Sequence, residues 1–355
     1  MPELFRIYLT KHYSISFKDF RLNIVVVQTN SAMLPCIACF VECEMKTLVE
    51  VSVVVATYSV GKYSTTLSCL KSLQMQTKQP HEIILVVEND KALIEHYSNL
   101  RLDGVRVIVN EGSGLASARN TGVRKCSADV VAFIDDDAYA DSKWLESLSK
   151  VYIDPQVIGV GGSVLPAWEN GCPAWFPREV NWVVGCSYGE ISETKRDIRN
   201  PIGCNMSFRR SAFEIAGCFN PTLGRFGKKL LSCEETAFSI KALAKIRLSK
   251  IVYEPEAFVI HRVSQSRTTL KYLVARSYNE GLSKGLLSNI RESDSSSLST
   301  EQKYLAAILQ RSIPRRIKRC FSFEGLAQIS VLLLSTAFVL LGFAISRTRI
   351  QMAQS

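Results

Sequence analysis

The stretch Val130-Val-Ala-Phe-Ile-Asp135-Asp136-Asp137 joins five apolar residues to three consecutive carboxylates. An apolar run of this length that contains β-branched residues is typical of a strand buried on both faces. Adjacent carboxylates repel one another, so the triplet needs a compensating cation or a hydroxyl-rich ligand. Hard divalent ions prefer carboxylate oxygens. The stretch predicts a strand that ends in a Mg²⁺ or Mn²⁺ site; a solvated acidic loop or a helix cap would also use carboxylates.

Upstream of this stretch, the residues 50–57, 83–87 and 105–109 also have the composition of buried strands. Helical patterns follow the first and third of these runs. Alternation of strand and helix over 50–137 predicts an α/β fold with a mostly parallel sheet flanked by helices. Such sheets bind ligands at the carboxyl ends of their strands. The polar residues expected to converge there are Thr57, Tyr58, Glu88–Asp90, Asn110 and Asp135–Asp137.

The pattern changes after Ala138. Residues 159–210 are rich in Gly, Pro, Trp and polar residues, and this mixture predicts the substrate side of a cleft. Further along, the sequence predicts helices at 211–217 and 235–245. Short strands are predicted at Val252 and at 258–260.

Two further segments are candidates for chemistry. Gly112-Ser-Gly114-Leu-Ala-Ser-Ala-Arg119-Asn120-Thr-Gly122 predicts a tight turn before a helix whose N-terminus faces an anion, although such turns are common. It does not have the spacing or position of a dinucleotide-binding motif. Cys233-Glu234-Glu235-Thr236 lies at a predicted helix start, where a carboxylate is either an ordinary cap or a general base.

The composition excludes several classes of protein. Of 355 residues, 47% are apolar and 21% are charged, as in globular proteins and unlike disordered chains. The net charge is +10, and residues 291–355 carry nine basic and four acidic residues. A basic end beside an apolar run favours anionic lipid over nucleic acid, and no interleaved aromatic and basic stripe argues for DNA or RNA.

Gly325–Ile345 is a run of 21 residues without a charge, about as long as a bilayer core is thick. Five basic residues precede this run between 311 and 319, and Arg347 and Arg349 follow it. The positive-inside rule then places the main domain on the cytoplasmic side of the cell membrane. Because Gln328, Ser330, Ser335 and Thr336 are polar, an amphipathic or core helix is the alternative to a membrane helix.

In order and spacing, these segments resemble the family 2 inverting glycosyltransferases with the GT-A nucleotide-diphosphosugar transferase fold. The resemblance covers about residues 50–285. It departs from the family where Glu234-Glu235 replaces the usual Glu-Asp and where the second strand ends in Glu88-Asn89-Asp90 rather than in Asp. The matching motifs are Val51-Ser-Val-Val-Val-Ala-Thr57-Tyr58, Ser72-Leu73, Gln76-Thr77, Ala118-Arg119-Asn120-x-Gly122, Phe133-Ile-Asp135-Asp136-Asp137-Ala138 and Cys204-Asn205-Met-Ser207-Phe-Arg-Arg210.

The resemblance implies a role for each matching residue. Glu235, assisted by Glu234, would accept the proton of the acceptor hydroxyl. Asp137, Asp135 and His261 would bind Mg²⁺ or Mn²⁺, although a lone histidine after a strand is often structural. The residues implied to contact the nucleotide sugar are Thr57, Tyr58, Glu88, Asp90, Arg119, Asn120, Asp135 and Asp136, and those implied to contact the acceptor are Asn205, Ser207 and Arg209.

A narrower resemblance points to archaeal-type transferases that act on dolichyl-phosphate-linked sugars, among them the glucosyl-dolichyl-phosphate glucuronosyltransferases. It is carried by Ala138–Trp144, Val160–Trp168, Arg199–Asn205 and His261-Arg-Val. It implies a UDP-sugar donor such as UDP-glucuronate and a polyprenyl-linked saccharide acceptor. Protein or polysaccharide acceptors, and an inactive membrane scaffold, are the alternatives. A glucuronate carboxylate would need a cation, for which the candidates are Arg209, Arg210, Lys228 and Lys229.

These patterns divide the chain into four segments. Residues 1–49 form an N-terminal extension that does not match the family, and one interpretation is that the natural protein begins at Met45. Residues 50–285 form the transferase domain. Residues 286–320 form a linker and a basic juxtamembrane segment, and residues 325–345 form the membrane helix.

Overall fold

The chain forms two compact units, Met1–Leu48 and Val49–Ser355. In the first unit, β1 (Tyr8–Phe17), β2 (Phe20–Gln28) and β3 (Glu42–Cys43) pair as an antiparallel sheet. The computed structural model describes residues 8–17, 20–28, 42–43, 49–98, 100, 102–188, 194–225, 227, 230–288, 299–317 and 322–354.

The second unit is built on a large mixed sheet with helices on its faces. Its strands are β4 (Val51–Thr57), β5 (Glu82–Val87), β6 (Val105–Val109), β7 (Val130–Asp135), β8 (Ala138–Ala140), β9 (Val157–Trp168), β10 (Arg196–Ile198), β11 (Asn205–Arg209) and β12 (Lys250–Val263). Its α-helices are α1 (Tyr63–Gln74), α2 (Lys91–Ser98), α3 (Leu115–Lys125), α4 (Trp144–Val151), α5 (Arg210–Ala216), α6 (Glu234–Lys245), α7 (Leu270–Leu287), α8 (Ser299–Ala307), α9 (Ile313–Ile317) and α10 (Phe323–Gln354).

The predicted parallel core is confirmed. Strands β6, β5, β4 and β7 lie side by side and run in the same direction. Strand β11 is inserted antiparallel between β7 and β9, and β9 runs parallel to β12. Because β11 reverses the direction, the carboxyl ends of β4 and β7 meet the start of β11 at one edge of the sheet, which is where a cleft can form.

Both faces of the parallel core are buried, as its continuous apolar runs require. Val53 and Val55 pack into one apolar cluster, and Val54 packs into the cluster on the opposite face of the sheet. All three side chains are at most 1% exposed. Burial of such side chains contributes about 1.5–3 kcal/mol each, so the core holds the strand ends in fixed positions.

The prediction for 159–210 missed the strand β9, which has 12 residues. Its three glycines suggested irregular structure, but they allow a close approach between backbones. A Cβ at Gly162 would overlap the carbonyl oxygen of Ala257 on β12, and one at Gly159 would meet the ring of Phe208. The two short strands predicted at Val252 and 258–260 are parts of the single strand β12, which has an irregular register between Glu254 and Val259.

Helix α10 covers the charge-free run 325–345 and extends beyond it. Within the described residues, Phe323–Arg349 is a helix that is long and apolar enough to cross a membrane, judged by length and composition. Within the described residues of the segment 286–320, α8 and α9 are helical. The sequence predicts a solvated linker over residues 290–300, and of these residues 290–298 lie outside the described part of the chain.

We expect Gly162→Ala to destabilise the second unit, because the new methyl group would overlap the backbone of β12. Overpacking of this kind costs about 1–3 kcal/mol. The change should lower the urea midpoint of unfolding, followed by circular dichroism. Gly61→Ala is the matched control, since a Cβ there would lie 3.6 Å from Ser59 Oγ. Equal midpoints for the two variants would contradict the close approach of β9 and β12.

Candidate active site

A cleft of about 1270 Å³ opens at the carboxyl ends of β4 and β7. The lining comes from the Gly-rich loop before α3, the start of α6 and the end of β12, as well as from these strand ends. The lining extends to Leu340 of α10, so the structure brings together residues that lie up to about 280 positions apart in the sequence. The predicted site residues that line the cleft are Thr57, Tyr58, Glu88, Arg119, Asp135, Glu234, Glu235 and His261.

Arg119 joins two of the acidic groups. Its Nη1 donates to Glu234 Oε1 at 2.6 Å, and its Nη2 donates to Asp135 Oδ1 at 3.2 Å. Nη2 also donates to the carbonyl oxygen of Gly203 at 2.9 Å. The Arg119 and Glu234 side chains are only 4% and 6% exposed, so their charges are screened little by water. This bridge fixes the position of α6 relative to the end of β7.

Glu235 follows at the start of α6 and is half-buried. Burial raises its pKa from 4.5 to about 7, and the neighbouring charge of Glu234 adds to this rise. Cys233, directly before the helix, adopts a left-handed conformation with φ of 76°. Strained conformations of this kind in residues other than glycine are concentrated at functional sites. A carboxyl group with a pKa near neutrality in a cleft has the properties of a general base.

The rest of the acidic triplet is neutralised by basic side chains. Lys62 Nζ lies 2.7 Å from Asp136 Oδ1 and 3.0 Å from Asp137 Oδ2. Arg267 Nη2 lies 3.3 Å from Asp137 Oδ2, and His261 Nε2 lies 3.1 Å from Asp137 Oδ1. Burial raises the pKa of Asp136 to about 6 although Lys62 opposes the rise. Burial also acts to raise the pKa of Asp137, but His261, Lys62 and Arg267 together hold it well below its ordinary range.

Lys62 and Arg267 were missed by the sequence analysis. Each lies in a short 3₁₀ helix soon after a strand that ends at the cleft, β4 for Lys62 and β12 for Arg267. Their position after these strands was a usable signal. The basic character of the two side chains was not a usable signal, because single lysines and arginines are common on surfaces.

The residues around Asp135 can hold a divalent ion. A carboxylate oxygen of Asp135, a ring nitrogen of His261 and Cys204 Sγ lie within 4.8 Å of one another, and Asp137 contacts the same histidine. Two carboxylates and an imidazole suit Mg²⁺ or Mn²⁺. Burial raises the pKa of the Cys204 thiol well above its ordinary range, and a protonated thiol is a poor ligand. The predicted metal ligands are therefore close to one another, with donor atoms that fit the ion.

Glu88 closes the Gly-rich loop. Its carboxylate accepts hydrogen bonds from Asn110 Nδ2 at 3.0 Å and Ser113 Oγ at 3.1 Å, and from the backbone N–H of Gly114. Asp90 instead caps α2, because its Oδ1 accepts from the Leu93 N–H at 3.0 Å. Of the two acidic residues after β5, Glu88 lines the cleft, and Asp90 is not among the residues that line it.

Besides Asp90, five residues predicted to contact the nucleotide sugar or the acceptor have side chains that are committed elsewhere and do not line the cleft. The predicted metal ligand Asp137 does not line it either. Asp136 is 2% exposed and paired with Lys62. The Asn120 amide donates to the Phe219 carbonyl at 2.8 Å and accepts from its N–H at 2.9 Å. The other three lie on β11.

The side chains of β11 hold the sheet together rather than facing an acceptor. Asn205 accepts from Trp144 Nε1 at 2.8 Å and donates to the carbonyls of Ser163 and Ala257. Ser207 is fully buried, with its hydroxyl 2.8 Å from Tyr152 Oη. The Arg209 guanidinium donates to the carbonyls of Val157 and Tyr152, each at 2.7 Å. Buried polar groups must be paired. The polar groups of these three side chains are bonded within the protein, so they are not available to bind an acceptor.

Of the predicted cations for a glucuronate carboxylate, the two that the structure describes, Arg209 and Arg210, do not line the cleft. Arg209 is committed as described, and Arg210 Nη1 lies 3.6 Å from Glu214 on α5. Lys228 and Lys229 lie outside the described residues. The described cations that do line the cleft, besides Arg119, are Arg196, Arg199, Arg225, Arg267, Arg276, Lys284 and Lys303.

Comparison with known proteins gives a family. Residues 52–215 match the model of glycosyl transferase family 2. The chain is 31% identical over 291 residues to the glucosyl-dolichyl phosphate glucuronosyltransferase of Haloferax volcanii, covering 80% of this chain and 91% of the relative. It is 25% identical over 249 residues to the succinoglycan biosynthesis protein ExoM of Rhizobium meliloti, covering 67% of this chain and 75% of that protein. A crystal structure of GalNAc-T7 with UDP, GalNAc and Mn²⁺ aligns with 73% of this chain and 54% of its own, at 19% identity and a TM-score of 0.46.

We expect Arg119→Met to destabilise the protein by about 3–5 kcal/mol, because Glu234 would keep a buried charge without its partner. The measurement is the free energy of unfolding in urea. Adding Glu234→Gln should restore part of the loss, since it removes the unpaired charge.

Arg106→Met is the control for that experiment. Arg106 pairs with Glu82 at 2.8 Å, but its side chain is 48% exposed. Its loss should cost no more than about 1 kcal/mol. Similar losses for the Arg106 and Arg119 variants would show that the Arg119 bridge contributes little.

Proposed function

Since the chain belongs to glycosyltransferase family 2 and is a nucleotide-sugar transferase of the hexosyltransferase type, we propose that it transfers a sugar to a lipid-linked saccharide. The proposed transfer inverts the anomeric centre and uses a divalent metal ion. The observation that carries the proposal is the position of Glu235. Its half-buried carboxyl group, with a pKa near 7, lies in the same cleft as Asp135 and His261.

In the proposed reaction, Glu235 accepts the proton of the acceptor hydroxyl while the hydroxyl oxygen attacks the anomeric carbon. The new glycosidic bond forms as the bond to the diphosphate oxygen breaks, and the nucleoside diphosphate leaves with that electron pair. A single displacement of this kind inverts the anomeric centre. Arg119 is a positioning residue, since it holds Glu234 next to the base and Asp135 at the donor side.

Asp135, Asp137 and His261 would hold Mg²⁺ or Mn²⁺. When bound, the ion supplies a Lewis acid that offsets the charge that develops on the leaving diphosphate. Lys62 and Arg267 keep Asp137 ionised, so it can serve as a ligand at neutral pH.

Thr57, Tyr58 and Glu88 are proposed to contact the nucleotide, because they lie at the ends of β4 and β5 within the cleft. We propose UDP-glucuronate as the donor, with Arg225, which lines the cleft, facing the uronate carboxylate. The support is the resemblance to archaeal-type transferases, and the Haloferax volcanii relative, which is a glucuronosyltransferase by name.

The acceptor is proposed to be a polyprenyl-linked saccharide at the cell membrane, with the transferase domain on the cytoplasmic side. The cleft continues from Glu235 to Ser335, Thr336, Val339 and Leu340 of the apolar helix α10. An acceptor with a lipid tail would use both ends of such a cleft. A protein or polysaccharide acceptor would have no use for the apolar side chains of Val339 and Leu340, and an inactive scaffold would need neither Glu235 nor the paired aspartates.

We expect kcat/KM to rise with pH with an apparent pKa near 7. The base must be deprotonated to act, and burial raises the pKa of Glu235 to about 7. Glu235→Gln should lower kcat by about 10²–10⁴-fold, the usual contribution of a general base. Product formation from a radiolabelled donor measures both effects.

Glu256→Gln, a change at an exposed glutamate of β12, is the matched control and should leave the profile unchanged. A rate that is flat between pH 5 and 8, or an active Glu235→Gln variant, would rule out Glu235 as the base.

We expect one UDP-sugar from a panel to bind in the presence of Mn²⁺ and to bind at least about tenfold more weakly in Asp137→Asn, because a proposed ligand is lost. Isothermal titration calorimetry measures the affinity with and without the ion. Asp129→Asn, at an exposed position before β7, is the control. A folded protein that binds no nucleotide sugar would refute the transferase proposal.

A further inference from the structure

Helix α10 has one face packed on the transferase unit along the whole of its apolar run. Gln328 Nε2 donates to the Ala174 carbonyl at 2.8 Å, and Arg347 Nη1 lies 3.4 Å from Ser288 Oγ. Between these contacts, Val331 and Leu332 are buried in the main apolar core. The contacts span the 20 residues from Gln328 to Arg347, a rise of about 28 Å along the helix. Both ends of the run that would cross a bilayer therefore touch the same unit.

The partner of the second half of α10 is α7. Ser277 Oγ lies 2.9 Å from Ser335 Oγ, and a Cβ at Gly281 or Gly285 would overlap Val339 or Ser346. The pairs advance together along both helices, so α7 and α10 run parallel in close contact. Small residues at four-residue spacing allow this approach.

Helix α7 is unsuited to the hydrocarbon core. It carries Arg276, Glu280 and Lys284 on the side that lines the cleft. Arg276 Nη1 lies 2.9 Å from Glu280 Oε2, and Lys284 Nζ lies 2.7 Å from Glu301 Oε1 on α8. If α10 crossed the bilayer, this charged network would have to enter it at the same depth, and charged groups there are costly.

The opposite face of α10 is apolar and exposed. Leu326, Leu333 and Leu340 recur at seven-residue spacing and are 54%, 53% and 54% exposed. Such spacing places them in one stripe along the helix. The other exposed residues between 326 and 344 are Ser330, Ala337, Leu341 and Ala344, none of which is charged.

We propose that α10 lies in the plane of the membrane, with this leucine stripe inserted into one leaflet of an anionic bilayer, and does not span it. Exposed basic residues flank the stripe at both ends, with Arg311 and Arg315 before it and Arg347 and Arg349 after it. Apolar insertion beside basic side chains is how interfacial helices bind anionic lipid. The cleft opens beside α10, so this orientation puts its mouth at the membrane surface.

The deciding experiment maps the side of the membrane on which the C-terminal end lies. Met352→Cys is introduced into the full chain, in which residue 352 is 70% exposed. Inverted membrane vesicles and spheroplasts are each treated with a membrane-impermeant maleimide, and labelled peptides are identified by mass spectrometry. The exposed native Cys218 reports the side of the transferase unit. An in-plane helix gives labelling of both cysteines in the same preparation.

Labelling of Cys218 in one preparation and of residue 352 in the other would show that α10 spans and would overturn the proposal. The inference rests on the proposed membrane location, but this measurement does not depend on transfer activity. An inactive protein with both cysteines on one side would refute the proposed chemistry and leave the orientation standing.

A second experiment tests the leucine stripe. The double variant Leu333→Glu, Leu340→Glu should bind vesicles of phosphatidylcholine and phosphatidylglycerol at least tenfold more weakly in flotation. Leu248→Glu, at a leucine that is 81% exposed between α6 and β12, is the matched control and should bind as the unaltered protein does. Circular dichroism verifies folding. Equal binding by the folded double variant would show that the stripe does not meet lipid.

Discussion

The buried ion pairs of Arg119 are the constraint on which the rest of the cleft depends. One guanidinium reaches a carboxylate at the end of β7 and another at the start of α6. These two elements come from the two halves of the chain, and both also contribute to one apolar cluster, through Phe133 and Phe238. Without the bridge, two acidic groups would be close together in a poorly hydrated place, and they would repel each other. The same contact holds the neighbouring Glu235 at the cleft, so the fold and the proposed chemistry depend on one side chain.

Much of this arrangement is predictable from sequence because local patterns determine it. The parallel strands are continuous apolar runs, and a run buried on both faces has few other structures available to it. The convergence of Thr57, Glu88 and Asp135 follows from topology alone, since parallel strands end at one edge. The local sequence likewise predicts helix α3 and the start of helix α6.

What the sequence could not predict is the direction of side chains within strands and the pairing of distant charges. Asn205, Ser207 and Arg209 stand in a motif with the composition of a binding segment, but burial turns their polar groups toward backbone carbonyls and a tyrosine. Lys62 and Arg267 gain their meaning only from contact with Asp137, 75 and 130 residues away in the sequence. The packing of α10 could not be predicted from the sequence for the same reason. Hydropathy reflects composition, and it does not show which face of a helix packs against another element.

The lysine and arginine beside Asp137 also bear on how the protein is made. Two carboxylates, Asp136 and Asp137, are matched by two permanent cations of the chain itself, Lys62 and Arg267. A site that relied on an ion for this balance would couple folding to metal supply, as small zinc domains do. Here the charge is balanced within the polypeptide, so the newly made chain can reach its native state in a cell that is short of divalent metal. A shortage of the divalent ion would then leave a folded but inactive enzyme, rather than an unfolded chain exposed to proteolysis.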